Sequence, residues 1–329
     1  MFVGHGLLAF ALVALLGRSA GWPRDRTLAL AVTAGAFATL PDVDILYAPV
    51  GLLGGASGIA DAAHAFWETG NVVHRAVTHS LLVGAVAAAA YGLWSVRFGD
   101  RSHRPLVRHG TSGLAAVGLL GLVATATVVS GLLGGVIMTV FTLVGLAIAT
   151  GAARRGLGPR AVAATALFGI CTHPFGDLFT GSPPQFLYPL DLTLFPARVA
   201  LNPDPTLNLL GAFFVELACI WLAAYAGFAL FDRRLGEHVS PRAALGLGYA
   251  AAVVALPPPS LASSAPFVFS VLALGTVGPV RTTRLGDAEG ALARLRRRPA
   301  VDDAHTAVVT GLAAVTIGAV SYGLAYLLL

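Results

Sequence analysis

Ten apolar runs recur along the chain, near residues 3–17, 27–40, 76–95, 110–129, 132–152, 161–178, 206–231, 243–257, 261–280 and 305–329. A helix needs about 20 residues to cross a bilayer, and runs of this size predict a bundle of membrane helices. The apolar stretch 110–152 is too long for one crossing; Ser130-Gly131 and Gly134-Gly135 offer a break, and the stretch divides there. Pro257-Pro258-Pro259 cannot continue a helix and part the eighth run from the ninth. The pattern predicts an all-α, polytopic membrane helical bundle with about ten transmembrane helices. The first run has no basic segment before it, and its first arginine, Arg18, follows it, so it does not read as a cleavable signal peptide.

Composition narrows the class. Of 329 residues, 56% are hydrophobic and 11% charged, and the mean hydropathy is +0.78. A soluble domain is about 25% charged, so a water-soluble globular fold is excluded. Disorder, which needs low hydrophobicity and high charge, is excluded with it. Cys171 and Cys219 lie in apolar runs and form no CxxC pair, so no disulfide framework is indicated.

Charge then orients the chain. All 21 basic residues are arginine. They cluster at Arg18/Arg24/Arg26, Arg97/Arg101/Arg104/Arg108, Arg154/Arg155/Arg160, Arg233/Arg234/Arg242 and across 281–298. With ten spans and the N-terminus outside, every cluster falls in a cytoplasmic loop, as the positive-inside bias requires. Only Arg75 and Arg198 are left on the other face. The expectation is a multi-pass plasma-membrane protein with both termini outside. Its net charge of +5 is then explained by the inner loops, and no nucleic-acid partner is expected.

The outer face collects the chemistry. His5 opens the first run; Asp42 and Asp44, in LPDVD, close the second; His74 and His79, in HRAVTHS, open the third; His173 and Asp177, in HPFGD, close the sixth. His173 and Asp177 are four apart and share a helix face on which they can grip one ion. His74 and His79 are five apart, a poorer match that an irregular first turn would mend. Pro41 biases Leu40 away from helix, which puts Asp42 and Asp44 on a turn with both carboxylates inward. Burying so many ionisable groups near lipid is costly, and a divalent metal would compensate. The mixed imidazole and carboxylate set suits zinc first, with manganese or iron as alternatives. His5, Asp42, Asp44, His74, His79, His173 and Asp177 are the candidate ligands, enough for one ion or two.

At these residues the sequence resembles the YdjM-type membrane proteins: the early His5, the LPDVD run, the HRAVTHSL run and the HPFGDLFTG run all match, over about residues 1–181. That resemblance implies an inner-membrane, metal-dependent hydrolase; the founding member also carries a LexA-binding label, to which no residue here can be assigned. The order of an early His, PDxD, later histidines and HxxxD has a fainter likeness to zinc-dependent phospholipase C. On this reading residues 1–181 form a hydrolase-like membrane core, and 182–329 add a further transmembrane helical region.

A metal held by His and Asp lowers the pKa of bound water toward about 7 and polarises a phosphoryl oxygen. Asp42, Asp44, His79 and Arg75 are the expected catalytic residues. Arg75 could pair with a substrate phosphate or, equally, with Asp42 or Asp44. The expected partners are the bilayer and a lipid or cell-envelope phosphoester. No GxSxG elbow and no Walker A motif is present. The competing class is an ion or small-molecule transporter that uses Glu216, an acid deep in the seventh run, together with the outer His/Asp cluster.

Overall fold

In the computed structural model every regular element is helical, and no strand occurs among the described residues. Those residues are 3–55, 57–58, 61–62, 65–66, 69, 75–98, 105–279 and 301–329, the side chains of 301–303 aside. His74, Arg101, Arg104 and the arginines of 281–298 lie outside them.

Helix α1 spans Gly4–Ser19 and α2 spans Arg24–Ala38. Between them Gly21 takes φ +68, and Pro23 stands at the N-cap of α2. The 3₁₀ turns Pro41–Ile45 and Ala48–Gly54 follow. Leu40 departs from expectation: it is helical, with φ −63 and ψ −38. Pro41 takes the first position of a new 3₁₀ turn, where its missing N–H costs nothing, so the chain bends without leaving helical space. Helix α3, Leu81–Ser95, is capped by Ser80, whose Oγ accepts from the N–H groups of Leu82 and Val83.

Helix α4, Pro105–Arg154, is 50 residues long and breaks at Gly131, with φ 72 and ψ −171. Only glycine adopts such angles readily, so the chain divides at one of the two glycine sites its sequence offers. Helix α5 spans Pro159–Asp177 and α6 spans Pro205–Leu230. The 3₁₀ segments Leu235–His238 and Pro241–Ala251, α7 (Ala252–Ala255), α8 (Ala265–Ala273), a 3₁₀ turn over Leu274–Val277 and α9 (Val301–Leu328) complete the order. Each of the ten apolar runs overlaps a helical segment. Among the described residues, four stretches are long and apolar enough to cross a membrane by length and composition: Arg24–Gly54, Pro105–Arg154, Pro205–Leu230 and Ala304–Leu328. Gly4–Ser19 and Leu81–Ser95 are apolar but shorter.

The chain divides into two units. The first comprises residues 1–199 with 218–230. In it α1 packs on α2, α2 on α5, and α3 on both α4 and α5. Phe37, Tyr91, Met138, Phe141 and Ile170 are fully buried at its centre. Small residues let the backbones meet. A Cβ on Gly169 of α5 would lie 2.6 Å from the Ala34 carbonyl oxygen and 2.7 Å from the Ala38 nitrogen of α2. One on Gly35 of α2 would lie 2.9 Å from the Gly6 carbonyl of α1. These contacts draw the start of α1 and the ends of α2 and α5 to one place. The second unit comprises 200–217 and 231–329. In it the Pro241–Ala251 segment packs along α9, and the rings of Tyr249, Phe267 and Tyr322 meet one another edge-on or tilted.

Candidate metal centre

The first unit brings six of the seven proposed ligands into one buried cluster; His74 lies outside the described residues. Each comes from a helix end or a turn. His5 stands in the first turn of α1, Asp42 and Asp44 in the Pro41–Ile45 turn, His79 in the irregular turn before α3, and His173 and Asp177 in the last turns of α5. The side chains of His79, His173 and Asp44 are 0% exposed and that of Asp177 3%, whereas Asp42 is 18% exposed. Asp42 is therefore the member nearest solvent or lipid.

Four atoms converge. His79 Nε2 lies 3.1 Å from His173 Nε2 and 3.1 Å from Asp177 Oδ2. His173 Nε2 lies 3.3 Å from Asp42 Oδ1 and 3.5 Å from Asp177 Oδ2. His79 Nε2 is 4.0 Å from Asp42 Oδ1. The far side of each imidazole explains why these nitrogens face one another. His173 Nδ1 is 2.6 Å from the Ala38 carbonyl, which can only accept, so Nδ1 carries the proton and Nε2 keeps its lone pair. His79 Nδ1 is 3.2 Å from Asp44 Oδ2. Thr78 donates its hydroxyl proton to the same Asp44 oxygen at 2.9 Å and sits 3.0 Å from His79 Nδ1. The Thr78 proton being spent on Asp44, His79 Nδ1 must be the donor, and the ring's lone pair also points into the cluster. Two imidazole lone pairs and two carboxylate oxygens then meet at one point, and that point needs a positive charge.

This is the arrangement a divalent ion fits: imidazole nitrogens oriented from behind by a carboxylate and a backbone carbonyl, with carboxylate oxygens beside them. Among the described residues, two triplets have ligand atoms all within 4.8 Å of one another: Asp42, His79 and His173, and His5, His173 and Asp177.

Arg75 meets an acid that the sequence did not point to for it. Its NH2 group lies 3.4 Å from Asp177 Oδ1, and NH1 donates to the carbonyls of Asp177 (3.2 Å) and Ser182 (3.0 Å). Its backbone N–H donates to Asp44 Oδ2 at 3.2 Å. The guanidinium thus meets Asp177, and the chain after α5 folds back over Arg75: Gln185 donates its backbone N–H to the Arg75 carbonyl at 2.9 Å.

Sequence reasoning missed four contributors: the Ala38 carbonyl, which carries no side-chain signal; Thr78, which donates to Asp44; and Gly169 and Gly176, whose lack of a Cβ makes room. A Cβ on Gly176 would lie 2.5 Å from His5 Cε1. The glycines of LFGICTHPFGD could have marked the face on which α5 is approached closely.

A buried His/Asp cluster at the ends of apolar helices defines an integral membrane protein with a candidate cation site. The chain belongs to the YdjM inner membrane protein family, whose model matches residues 1–256. The match runs beyond residue 181, where the motifs end. No curated protein and no solved structure matched the chain.

Proposed function

We propose that this protein is a membrane-embedded, metal-dependent hydrolase, a phosphoesterase acting on a lipid or cell-envelope substrate at the outer face. In this reading it has ten spans with both termini outside, and residues 182–329 are an accessory helical region. The observation that carries the reading is the 3.1 Å approach of two imidazole Nε2 atoms whose Nδ1 atoms are both committed to acceptors. Asp42, His79, His173 and Asp177 hold the ion, zinc first and manganese or iron as alternatives. His173 offers only Nε2, and both triplets draw on that atom, so one ion is favoured over two.

When bound, the ion supplies Lewis acidity, which acidifies a water and polarises a phosphoryl oxygen. The chain's own residues do the rest. Asp44 and Thr78 fix the tautomer and tilt of His79, and the α2 terminus does the same for His173. Asp42, the most exposed of the four, turns Oδ1 into the cluster, which leaves Oδ2 to accept a proton from a water there. A lipid-borne substrate is supported by what flanks these residues. Leu46, Val50 and Leu53 follow Asp44, and Leu190, Leu192 and Leu194 follow α5, and all six are exposed. Water-facing loops do not usually carry such a density of bare aliphatic side chains.

The test is metal analysis of the purified full-length protein beside His173→Ala, with turnover of bis(p-nitrophenyl) phosphate measured in parallel. About one zinc or manganese per chain, lost with activity in the variant, is expected. A metal-free protein that stays inactive when zinc, manganese or iron is added would sink the reading.

A further inference from the structure

The two oxygens of Asp177 face different partners. Oδ2 looks into the cluster, 3.1 Å from His79 Nε2 and 3.5 Å from His173 Nε2. Oδ1 looks away from it, 3.2 Å from His5 Nε2 and 3.4 Å from Arg75 NH2. A carboxylate left to itself can offer a cation both oxygens. Here one of them is held by two donors on the opposite side. We propose that Arg75 and His5 are positioning residues that hold Asp177 by Oδ1, so that it gives the ion between His79 and His173 a single oxygen. The inference rests on the metal reading above and reassigns His5 from ligand to support.

The surroundings of each residue argue for this role. His5 Nε2 faces a carboxylate oxygen and so donates its proton there, which spends the nitrogen a ligand at that position would need. Its ring stacks on His173 at 3.8 Å between centroids and fits over Gly176, where a Cβ would collide with it. His5 is thus packed as a plate behind the ligands. Both terminal guanidinium nitrogens of Arg75 are engaged. NH1 serves the Asp177 and Ser182 carbonyls, NH2 lies 3.3 Å from Thr180 Oγ1, and a Cβ on Gly181 would collide with the guanidinium. Its backbone has φ +66, a left-handed conformation unfavourable to a side chain with a Cβ. That conformation aims its N–H at Asp44 Oδ2. One residue therefore supports both the carboxylate behind His79 and the carboxylate ligand. Strain held at such a point is a common mark of a functional position.

The experiment uses the full-length protein in detergent with cobalt(II) as the probe, since its visible absorption reports the number and geometry of donor atoms. Arg75→Gly removes the guanidinium and keeps a backbone that accepts φ +66 and still presents its N–H to Asp44. His5→Phe keeps a ring on His173 and removes the N–H. The wild type is expected to take up one cobalt with strong visible bands. Both variants should still take up one cobalt, bound roughly 10–100-fold more weakly, with weaker and shifted bands as Asp177 turns to offer both oxygens. Added guanidinium should restore the wild-type spectrum to Arg75→Gly and leave His5→Phe unchanged. Spectra and affinities equal to the wild type in both variants would overturn the inference while leaving the metal reading intact. Loss of the cobalt itself in His5→Phe would overturn it by making His5 a ligand. A wild type that binds no cobalt would overturn the metal reading and this inference together. If Arg75→Gly fails to fold, His5→Phe decides alone.

Discussion

His173 Nδ1 lies 2.6 Å from the carbonyl oxygen of Ala38, the last residue of α2. The last four carbonyls of a helix have no partner within it, and here one is satisfied by a histidine from another helix. The bond leaves Nε2 as the only nitrogen His173 can offer the cluster. A backbone atom thus selects which imidazole nitrogen meets Asp42 and His79. The contact exists because α5 lies against α2 at glycine distance, so packing and site chemistry are coupled.

Gly169→Val should therefore damage the site from a position that touches none of its polar atoms. The new side chain would enter the space of the Ala34 carbonyl and the Ala38 nitrogen. Overpacking of this kind costs about 1–3 kcal/mol, seen as a lower unfolding temperature in detergent. The shift of α5 should also lower the zinc content of purified protein. Wild-type zinc content in a destabilised Gly169→Val would show that the site tolerates movement of α5.

Asp44→Asn tests the carboxylate behind His79. Asparagine can still accept from His79 Nδ1–H, but the negative charge that favours a cation on the ring's far side is gone. Zinc affinity should fall about 10–100-fold, the usual effect of removing a partner behind a metal-bound histidine, while saturating zinc still reaches one ion per chain. Competition against a fluorescent chelator measures this. An unchanged affinity would mean that Asp44 does not act through His79.

Much of the site was legible because its residues sit at helix ends. Hydropathy located those ends, and arginine placement put them on one face, without reference to the chemistry of His5, Asp42, Asp44, His79, His173 or Asp177. What escaped was whatever depends on tertiary register. The Ala38 carbonyl is invisible in sequence. Arg75 reaches Asp177 where the segment after α5 returns over it, a fold-back that no local pattern signals. Leu40 was misjudged because the preference of a pre-proline residue for extended backbone was outweighed by continuation of α2 into a 3₁₀ turn. Gly131 was legible as a breaker because the apolar run through it was too long for one crossing.

Topology can be checked by labelling single cysteines from outside intact cells, with Cys171 and Cys219 replaced by alanine. Ser182→Cys, in the exposed segment after α5, should react with a membrane-impermeant maleimide. Arg155→Cys, in the exposed arginine-bearing turn between α4 and α5, should not. The arginine bias puts that turn in the cytoplasm. The reverse pattern would invert the chain and move the His/Asp cluster to the inner face.

Glu216 separates hydrolase from carrier. It lies in α6, a helix long and apolar enough to cross a membrane, ten residues beyond Thr206. At about 1.5 Å per residue that is about 15 Å along the helix from Thr206. A general base must lie within hydrogen-bond reach of its proton or one water away, and a hydrolase working at the outer helix ends has no use for an acid at that depth. Glu216→Gln should therefore leave zinc content and turnover of a phosphoester nearly unchanged. Asp177→Asn, which removes a charged ligand from the cluster, should abolish turnover and lower the bound zinc. A carrier would behave the other way: Glu216→Gln would stop movement of its cargo into vesicles, and no ester would be turned over by any variant. Loss of both metal and turnover on changing Glu216 alone would move the functional centre into α6 and favour transport.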